Sequence, residues 1–273
     1  ARLGENPSQG YTLFTRAETA QKLVHIHPSA EELGRVWPAR IAACANVSLA
    51  AQALANLNVA PRWADWRAGA RADYEAFAKP VAVTGAFNMS EAMAHLAEAL
   101  PADAIICNGA GNFAAWLHRF YKHRAPHTQL APTSGAMGYG FPAAIAAKLT
   151  HPDREVVCVA GDGDFMMTSN EMATIARHNA GVITIVVDNG SFGTIRMHQE
   201  RHFPARVHAT DLVNPDFVAY AKAFGVWAKR VERTEDFPAA LAEARKNTPA
   251  LIHIKADVED ITPGRTISTL RAG

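Results

Sequence analysis

Between Glu155 and Gly193 the chain alternates apolar runs with short polar breaks in a regular order. Val156 to Ala160 is continuously apolar and ends in Gly161-Asp162-Gly163. Met167, Met172, Ile175 and Ala176 then recur at helical spacing, with Glu171 and Arg177 off that face. A second apolar run, Val182 to Val187, ends in Asp188-Asn189-Gly190. Strand, helix and strand at this length predict two parallel strands joined by a right-handed crossover. Both polar breaks then open at the carboxyl ends of the strands, where open α/β sheets bind ligands.

The pattern continues on either side. Lys22 to His27 and Arg40 to Ala45 read as strands, and Pro28 to Glu32 starts a short helix with Ser29 and Glu32 as a capping box. Ser48 to Leu57 reads as a helix. Pro61 to Phe77 is another, whose Trp63, Trp66, Ala70, Tyr74 and Phe77 fall at helical spacing; a packed linker helix is expected rather than a ligand box. Lys79 to Asn88, with its Pro and Gly, is the expected domain boundary. Beyond it Ser90 caps a helix to Leu100, and Ala104 to Cys107 is a strand. The loop Asn108-Gly109-Ala110-Gly111-Asn112 leads into a helix from Phe113 to Tyr121, and an alanine-rich helix runs to Leu149. Asn214-Pro215 opens a helix through Ala223, followed by strand Trp227–Val231, helix Phe237–Arg245 and strand Leu251–Lys255. The expected class is α/β: a doubly wound parallel sheet over residues 81–273, preceded in 1–80 by the end of a second α/β domain.

Composition narrows the function. Of 273 residues 49% are apolar, enough for a sizeable core. The net charge of +1 from 27 basic and 26 acidic residues implies neither a nucleic-acid nor a membrane partner. No apolar run is long enough for a membrane span, and the N-terminus lacks a signal-peptide pattern. Cys44, Cys107 and Cys158 have no metal-ligand spacing, and the last two lie in strand-like runs; they are expected to be reduced core residues of a cytoplasmic protein. His198, His202 and His208 are too irregularly spaced for a metal site and are expected at the surface.

The two polar breaks carry the chemistry. Asp162 offers a hard anionic oxygen, Asn189 an amide oxygen, and the backbone just after Asn189 a carbonyl. Such a set suits Mg²⁺, which takes oxygen ligands and keeps positions for water and phosphate. Gly161 and Gly163 let the backbone approach closely, and a helix start presents N–H groups to an anion. A metal-bridged diphosphate is implied. Taken alone, Gly-Asp-Gly and Asp-Asn-Gly are ordinary turn sequences. Flanking one crossover they are far more specific.

In these residues the chain resembles the thiamine-diphosphate-dependent enzymes, whose signature is Gly-Asp-Gly, a helix with an acidic residue, and Asn-Asn at a strand end. The resemblance implies that Asp162, Asn189 and the carbonyl of Ser191 hold magnesium, and it departs from the signature at Asp188. It implies diphosphate contacts from Gly111, Asn112, Gly163, Asp164 and Phe192, those of Asp164 through its backbone N–H. Ala110-Gly111 stands where the family often has Gln-His. Gly135 would bind the pyrimidine edge through the backbone, and Met137 would be the wedge that bends the cofactor into its reactive conformation. Ile195 and Met197 would line the substrate pocket, and Glu171 is assigned only a structural role.

The likeness extends over nearly the whole chain and is greatest to acetolactate-synthase-like members. Residues 1–80 are similar to the end of their middle domain, and 81–273 to their diphosphate-binding domain. It implies decarboxylation of a 2-oxo acid followed by ligation to a second carbonyl, the cofactor performing the carbanion chemistry. Members of the benzoylformate, oxalyl-CoA or sulfopyruvate type decarboxylate without ligating and are an alternative. A non-catalytic module that keeps the fold is another. The glutamate that activates the pyrimidine belongs, in the family, to a separate N-terminal domain. The chain, which opens without Met, is therefore expected to be a C-terminal fragment or one chain of a split enzyme, inactive alone. Assembly as a homo-dimer or tetramer is implied, and FAD is left open for a full-length parent.

Overall fold

The computed structural model describes residues 2–14 and 21–272. It divides into two compact units, Ala1–Ala68 and Gly69–Gly273. The division falls inside a helix, ahead of the boundary expected after residue 80.

In the first unit, β1 (Val24–His27) pairs in parallel with β2 (Ile41–Cys44), His25 opposite Ala42. Between them lies a single 3₁₀ turn, Ala30–Glu32, rather than the expected helix with a capping box. The Ser29 side chain makes no cap; its backbone N–H instead donates to His27 Nδ1 at 3.0 Å. Helix α1 (Val47–Ala55) starts a residue earlier than expected because Asn46 Oδ1 accepts from the N–H groups of Ser48 and Leu49. Cys44 is exposed on β2, unlike the two buried cysteines of the larger unit. Helix α2 (Ala64–Phe77) spans the division, and its aromatic stripe does not pack as expected. Trp63, Tyr74 and Phe77 are exposed and Trp66 is 77% exposed. Its far end belongs to the second unit: Arg119 donates to the Phe77 carbonyl at 2.8 Å and lies 3.9 Å from the Phe77 ring.

The second unit is a parallel sheet wound on both faces. Its strands, in the order β4-β3-β5-β6-β8-β7, are β3 (Ile105–Asn108), β4 (Gln129–Leu130), β5 (Val156–Gly161), β6 (Val182–Asp188), β7 (Trp227–Val231) and β8 (Ala250–Lys255). Every pairing is parallel. The helices are α3 (Met89–Ala99), α4 (Asn112–Phe120), α5 (Gly140–Thr150), α6 (Asp162–Met166), α7 (Met172–His178), α8 (Gly193–His202), α9 (Phe217–Ala223), α10 (Phe237–Lys246) and α11 (Ile267–Arg271). Side chains of a strand alternate between faces, so the sheet feeds two cores. Val157, Val159, Ile183 and Ile185 pack with α3, α4 and α10. Val156, Cys158, Val182 and Val186 pack with α5, α7 and α9. This is the continuous apolar run of a strand buried on both sides.

Two expected helices change shape. The cap of α3 is Asn88 rather than Ser90: Asn88 Oδ1 accepts from the N–H of Ser90 and of Glu91. The crossover after β5 is not one helix but α6, a 3₁₀ turn and α7. Phe165 forces the early start, since it is buried against Phe141, Phe217 and Tyr220 with ring centroids 5.0, 5.8 and 6.4 Å away. A fully buried Phe of this kind is worth about 3–5 kcal/mol on truncation to Ala. It therefore pins α6, and with it Asp162 and Asp164, to the sheet. The chain then leaves helical geometry at Thr168 (φ −136°, ψ 21°).

Candidate functional site

Strands β3, β5 and β6 end at Asn108, Gly161 and Asp188, and the loops beyond them border a cavity that opens to solvent. Gly111, Asn112, Met137, Asp162, Gly163, Asp164, Asn189, Ser191, Phe192 and Ile195 all border it. Two residues named from the sequence stand apart. Gly135 lies two residues before Met137 in a left-handed turn (φ 68°) outside the cavity wall. Met197 turns toward Ile261, Ile267 and Leu270, and its sulfur accepts from Asn112 Nδ2 at 3.6 Å. Phe87, Met89, Phe113 and Trp116 complete an apolar wall.

Asp162 is 3% exposed. Its Oδ1 accepts from the Gly163 N–H at 2.9 Å, and its Oδ2 from the Gly190 N–H and Asn214 Nδ2, both at 2.8 Å. All three donors are neutral. Burial therefore dominates and pushes its pKa up to about 6, the bonds from Asn214 and Gly163 offsetting only part of the cost. Asp188, at the end of the next strand, is handled in the opposite way. Its Oδ2 is bonded to His253 Nε2 at 2.9 Å, and its Oδ1 accepts from Lys255 Nζ at 3.1 Å. Burial raises its pKa, but these bonds outweigh that and hold it far below the usual carboxylate range.

The Asp164 carboxylate is taken up by backbone donors of two neighbouring loops. Its Oδ1 accepts from the N–H of Gly138 at 2.7 Å and of Ala110 at 3.2 Å, so one oxygen ties α6 to the loops after β3 and before α5. Gly109 lies against the same carboxylate, and a Cβ there would overlap it. Gly163 is similarly fixed, since a Cβ would come within 2.7 Å of the Phe192 ring. The Asn112 side chain is also a tie: Nδ2 donates to the Ile261 carbonyl at 3.1 Å, and Oδ1 accepts from Thr194 Oγ1 at 2.9 Å. Asn189 Oδ1 accepts from the Ser191 N–H at 3.0 Å, closing the turn that presents both residues to the cavity. Glu171 accepts from Thr174 Oγ1 at 2.6 Å on the crossover and does not border the cavity.

Four polar residues of this region escaped the sequence reading. Asn214 was legible only as a helix start. His253 and Lys255 lay in an apolar strand, and Asp260 carried no motif. Asp260 accepts from the N–H groups of Thr84 and Gly85 at 2.9 Å each, drawing the 79–88 loop to the cavity rim.

The donor set fits a hard dication. Among the described residues that border the cavity there is no Lys, Arg or His, whereas Asp162, Asp164, Asp257 and Asp260 all do. A polyanion entering alone would meet only negative charge. Asp162 is a buried carboxylate without a cation, adjacent to the Asn189 amide and the Ser191 backbone, and a bound dication would neutralise it.

Residues 109–254, just over half of the chain, match the family model described as thiamine pyrophosphate enzyme, C-terminal TPP binding domain. The chain is similar to the acetolactate synthase isozyme 2 large subunit of Escherichia coli, 33% identical over 62% of this chain and 31% of that protein. It is 35% identical to a probable acetolactate synthase large subunit of Methanocaldococcus jannaschii, over 59% of this chain and 28% of that one. With the acetolactate synthase large subunit of Parasynechococcus marenigrum it shares 29% identity over 85% of this chain and 39% of that protein. The chain thus spans about a third of the length of the curated relatives it matches. Among the described residues no helix is long and apolar enough to cross a membrane.

Proposed function

The chain belongs to the thiamine pyrophosphate enzymes through their C-terminal TPP binding domain, and from that premise we propose that it carries the diphosphate half of a magnesium-dependent site for 2-oxo acids. The whole protein would decarboxylate one 2-oxo acid and ligate the product to a second carbonyl, as the acetolactate synthase names of its relatives suggest. When bound, the cofactor supplies the electron sink for that cleavage.

The residues divide the remaining work. Asp162, Asn189 and the Ser191 carbonyl hold the dication, and the backbone at Gly111, Gly163, Asp164 and Phe192 borders the diphosphate. Asn112 fixes the entrance by tying α4 to α8 and the 261 loop. Met137 sets the cofactor's conformation, with Gly135 shaping the turn before it, and Ile195 faces the incoming acid. The apolar wall of Phe87, Phe113 and Trp116 keeps water from the reacting centre. The pyrimidine-activating glutamate comes from another domain, and pairing of two or four copies completes each site in the cytoplasm.

One observation carries this reading: a buried Asp162 that, among the described residues, has only neutral donors and lies in a cavity bordered by acids and no cation. Calorimetry of the full-length protein with thiamine diphosphate is expected to show binding with Mg²⁺ and little without it. Pyruvate should then release CO₂ and yield acetolactate. Equal cofactor affinity after chelation of the metal would overturn the assignment.

A further inference from the structure

Asp162 and Asp188 both lie within hydrogen-bonding reach of one nitrogen. Asn214 Nδ2 stands 2.8 Å from Asp162 Oδ2 and 2.9 Å from Asp188 Oδ1. A primary amide nitrogen carries two hydrogens, and here each is spent on a different carboxylate. The reverse orientation of the amide would aim its oxygen at two anions, so the electrostatics admit only this one. Asn214 reaches the site on a strap laid over the second polar loop. Phe192 N–H donates to the Thr210 carbonyl and Leu212 N–H to the Gly190 carbonyl, each at 2.8 Å, while Ser191 Oγ donates to Thr210 at 3.0 Å. The strap thus binds residues 190–192 and delivers the amide to Asp162 in one motion.

We propose that Asn214 is a positioning residue for the cation site, holding Asp162 Oδ2 so that Oδ1 is the oxygen offered to the metal. The distribution of donors supports this. Oδ2 receives two bonds, from Gly190 and Asn214, whereas Oδ1 receives only the one from its own neighbour Gly163. Asp188 is the fixed end of the arrangement, because His253 and Lys255 already compensate it. The Gly190 N–H bridges the same two oxygens, at 2.8 and 3.0 Å, and Asn214 adds the side-chain link that keeps the two carboxylates from adjusting independently. The inference rests on the reading of Asp162 as a metal-binding residue.

The test is Mn²⁺ binding to the full-length protein in the presence of thiamine diphosphate, read from the electron paramagnetic resonance signal of free Mn²⁺. Asn214→Ala is expected to weaken Mn²⁺ at least tenfold. Asn214→Asp should weaken it further by placing a third carboxylate between two others, and Asn214→Ser, which keeps one donor, should fall between wild type and Ala. The control is Asp216→Ala, which removes the cap of α9, where Asp216 Oδ1 accepts from Val218 and Ala219, without touching Asp162. It should lower the melting temperature and leave Mn²⁺ affinity unchanged. Mn²⁺ affinity within twofold of wild type in Asn214→Ala and Asn214→Ser would overturn the proposal, as would an equal loss in Asp216→Ala. If wild type itself showed no cofactor-dependent Mn²⁺ binding, the assignment of Asp162 would fall first, a result distinct from a loss confined to the variants.

Discussion

Asp162 and Asp188 stand at the ends of adjacent parallel strands and share two donors, the Gly190 N–H and Asn214 Nδ2, yet among the described residues only neutral groups bond the first, whereas the second is also bonded to His253 and Lys255. The first is costly to bury and the second is compensated. A protein keeps such an expense where function needs it. Asp162→Asn is therefore expected to remove metal-dependent cofactor binding while relieving the metal-free protein of a buried charge at neutral pH, a gain partly offset by the N–H it turns on a backbone donor. Calorimetry and thermal melts of the same variant check both halves. Retained binding with Mg²⁺ would remove Asp162 from the metal site.

The Asp162 pKa is raised by burial to about 6 in the fold, against about 4 in an unfolded chain. Between these values the folded state keeps a proton that the unfolded state has lost. The stability from this group is thus complete below about pH 4 and is lost as pH rises through about 6. Asp164, also raised to about 6 by burial, acts in the same direction. In metal-free melts the gap between wild type and Asp162→Asn should open as pH rises from 4.5 to 7. Metal affinity should climb across the same window, because the proton competes with the cation. A flat difference would show that burial is not what controls this carboxylate.

Met137 is 37% exposed and borders the cavity, and its thioether side chain offers neither a charge nor a strong ligand to a cation or a diphosphate. Met137→Ala should therefore leave the affinity for diphosphate and metal nearly intact. If the side chain biases the cofactor's conformation by about 2 kcal/mol, turnover at saturating cofactor falls roughly thirtyfold. Unchanged turnover would confine Met137 to lining the wall.

Gly109 tests the tie made by Asp164. A methyl group there must displace the carboxylate that holds the Ala110 and Gly138 N–H groups. Gly109→Ala should weaken cofactor binding far more than it lowers the melting temperature, since the loops sit above the core rather than in it. A variant that binds cofactor normally would show that the loops hold their places without Asp164.

Much of this was legible in the sequence, and the reason is physical. Val156–Ala160 is apolar throughout and Val182–Val187 apolar but for Thr184, because both faces of their strands are covered, so they stand out from any turn or helix. The Gly-Asp-Gly and Asp-Asn-Gly breaks mark their ends. His253 and Lys255 were hidden because parallel register, not sequence proximity, brings them to the site: Val186 pairs with His253 and Asp188 with Lys255. Asn214 was hidden for a similar reason, lying 52 residues from Asp162 on an irregular strap. The crossover helix was misjudged because its apolar spacing does not register the break at Thr168, which lets Phe165 reach the core. The stripe on α2 was misjudged because helical spacing marks an apolar face without naming what covers it.

The C-terminal segment holds the flank of the site through one ion-paired fork. Glu200 on α8 has a side chain 0% exposed, and it accepts from both sides of one guanidinium: Arg271 Nε to Oε2 and Arg271 Nη2 to Oε1, each at 2.7 Å. Arg196 Nε adds a bond to Oε1 at 2.8 Å, and the Ala205 N–H one to Oε2 at 2.9 Å. This planar fork fastens α11 onto α8, whose first residues, Gly193 to Ile195, border the cavity. Arg271→Ala removes two of the bonds to this buried carboxylate and should lower the melting temperature. Arg271→Lys should recover only part of that, because an ammonium cannot reproduce two parallel bonds. Hydrogen exchange should rise in residues 193–202 and 261–271 while the amides of β5 and β6 remain protected. Uniform loss of protection across the sheet would mean that the fork supports the whole domain rather than the flank of its site.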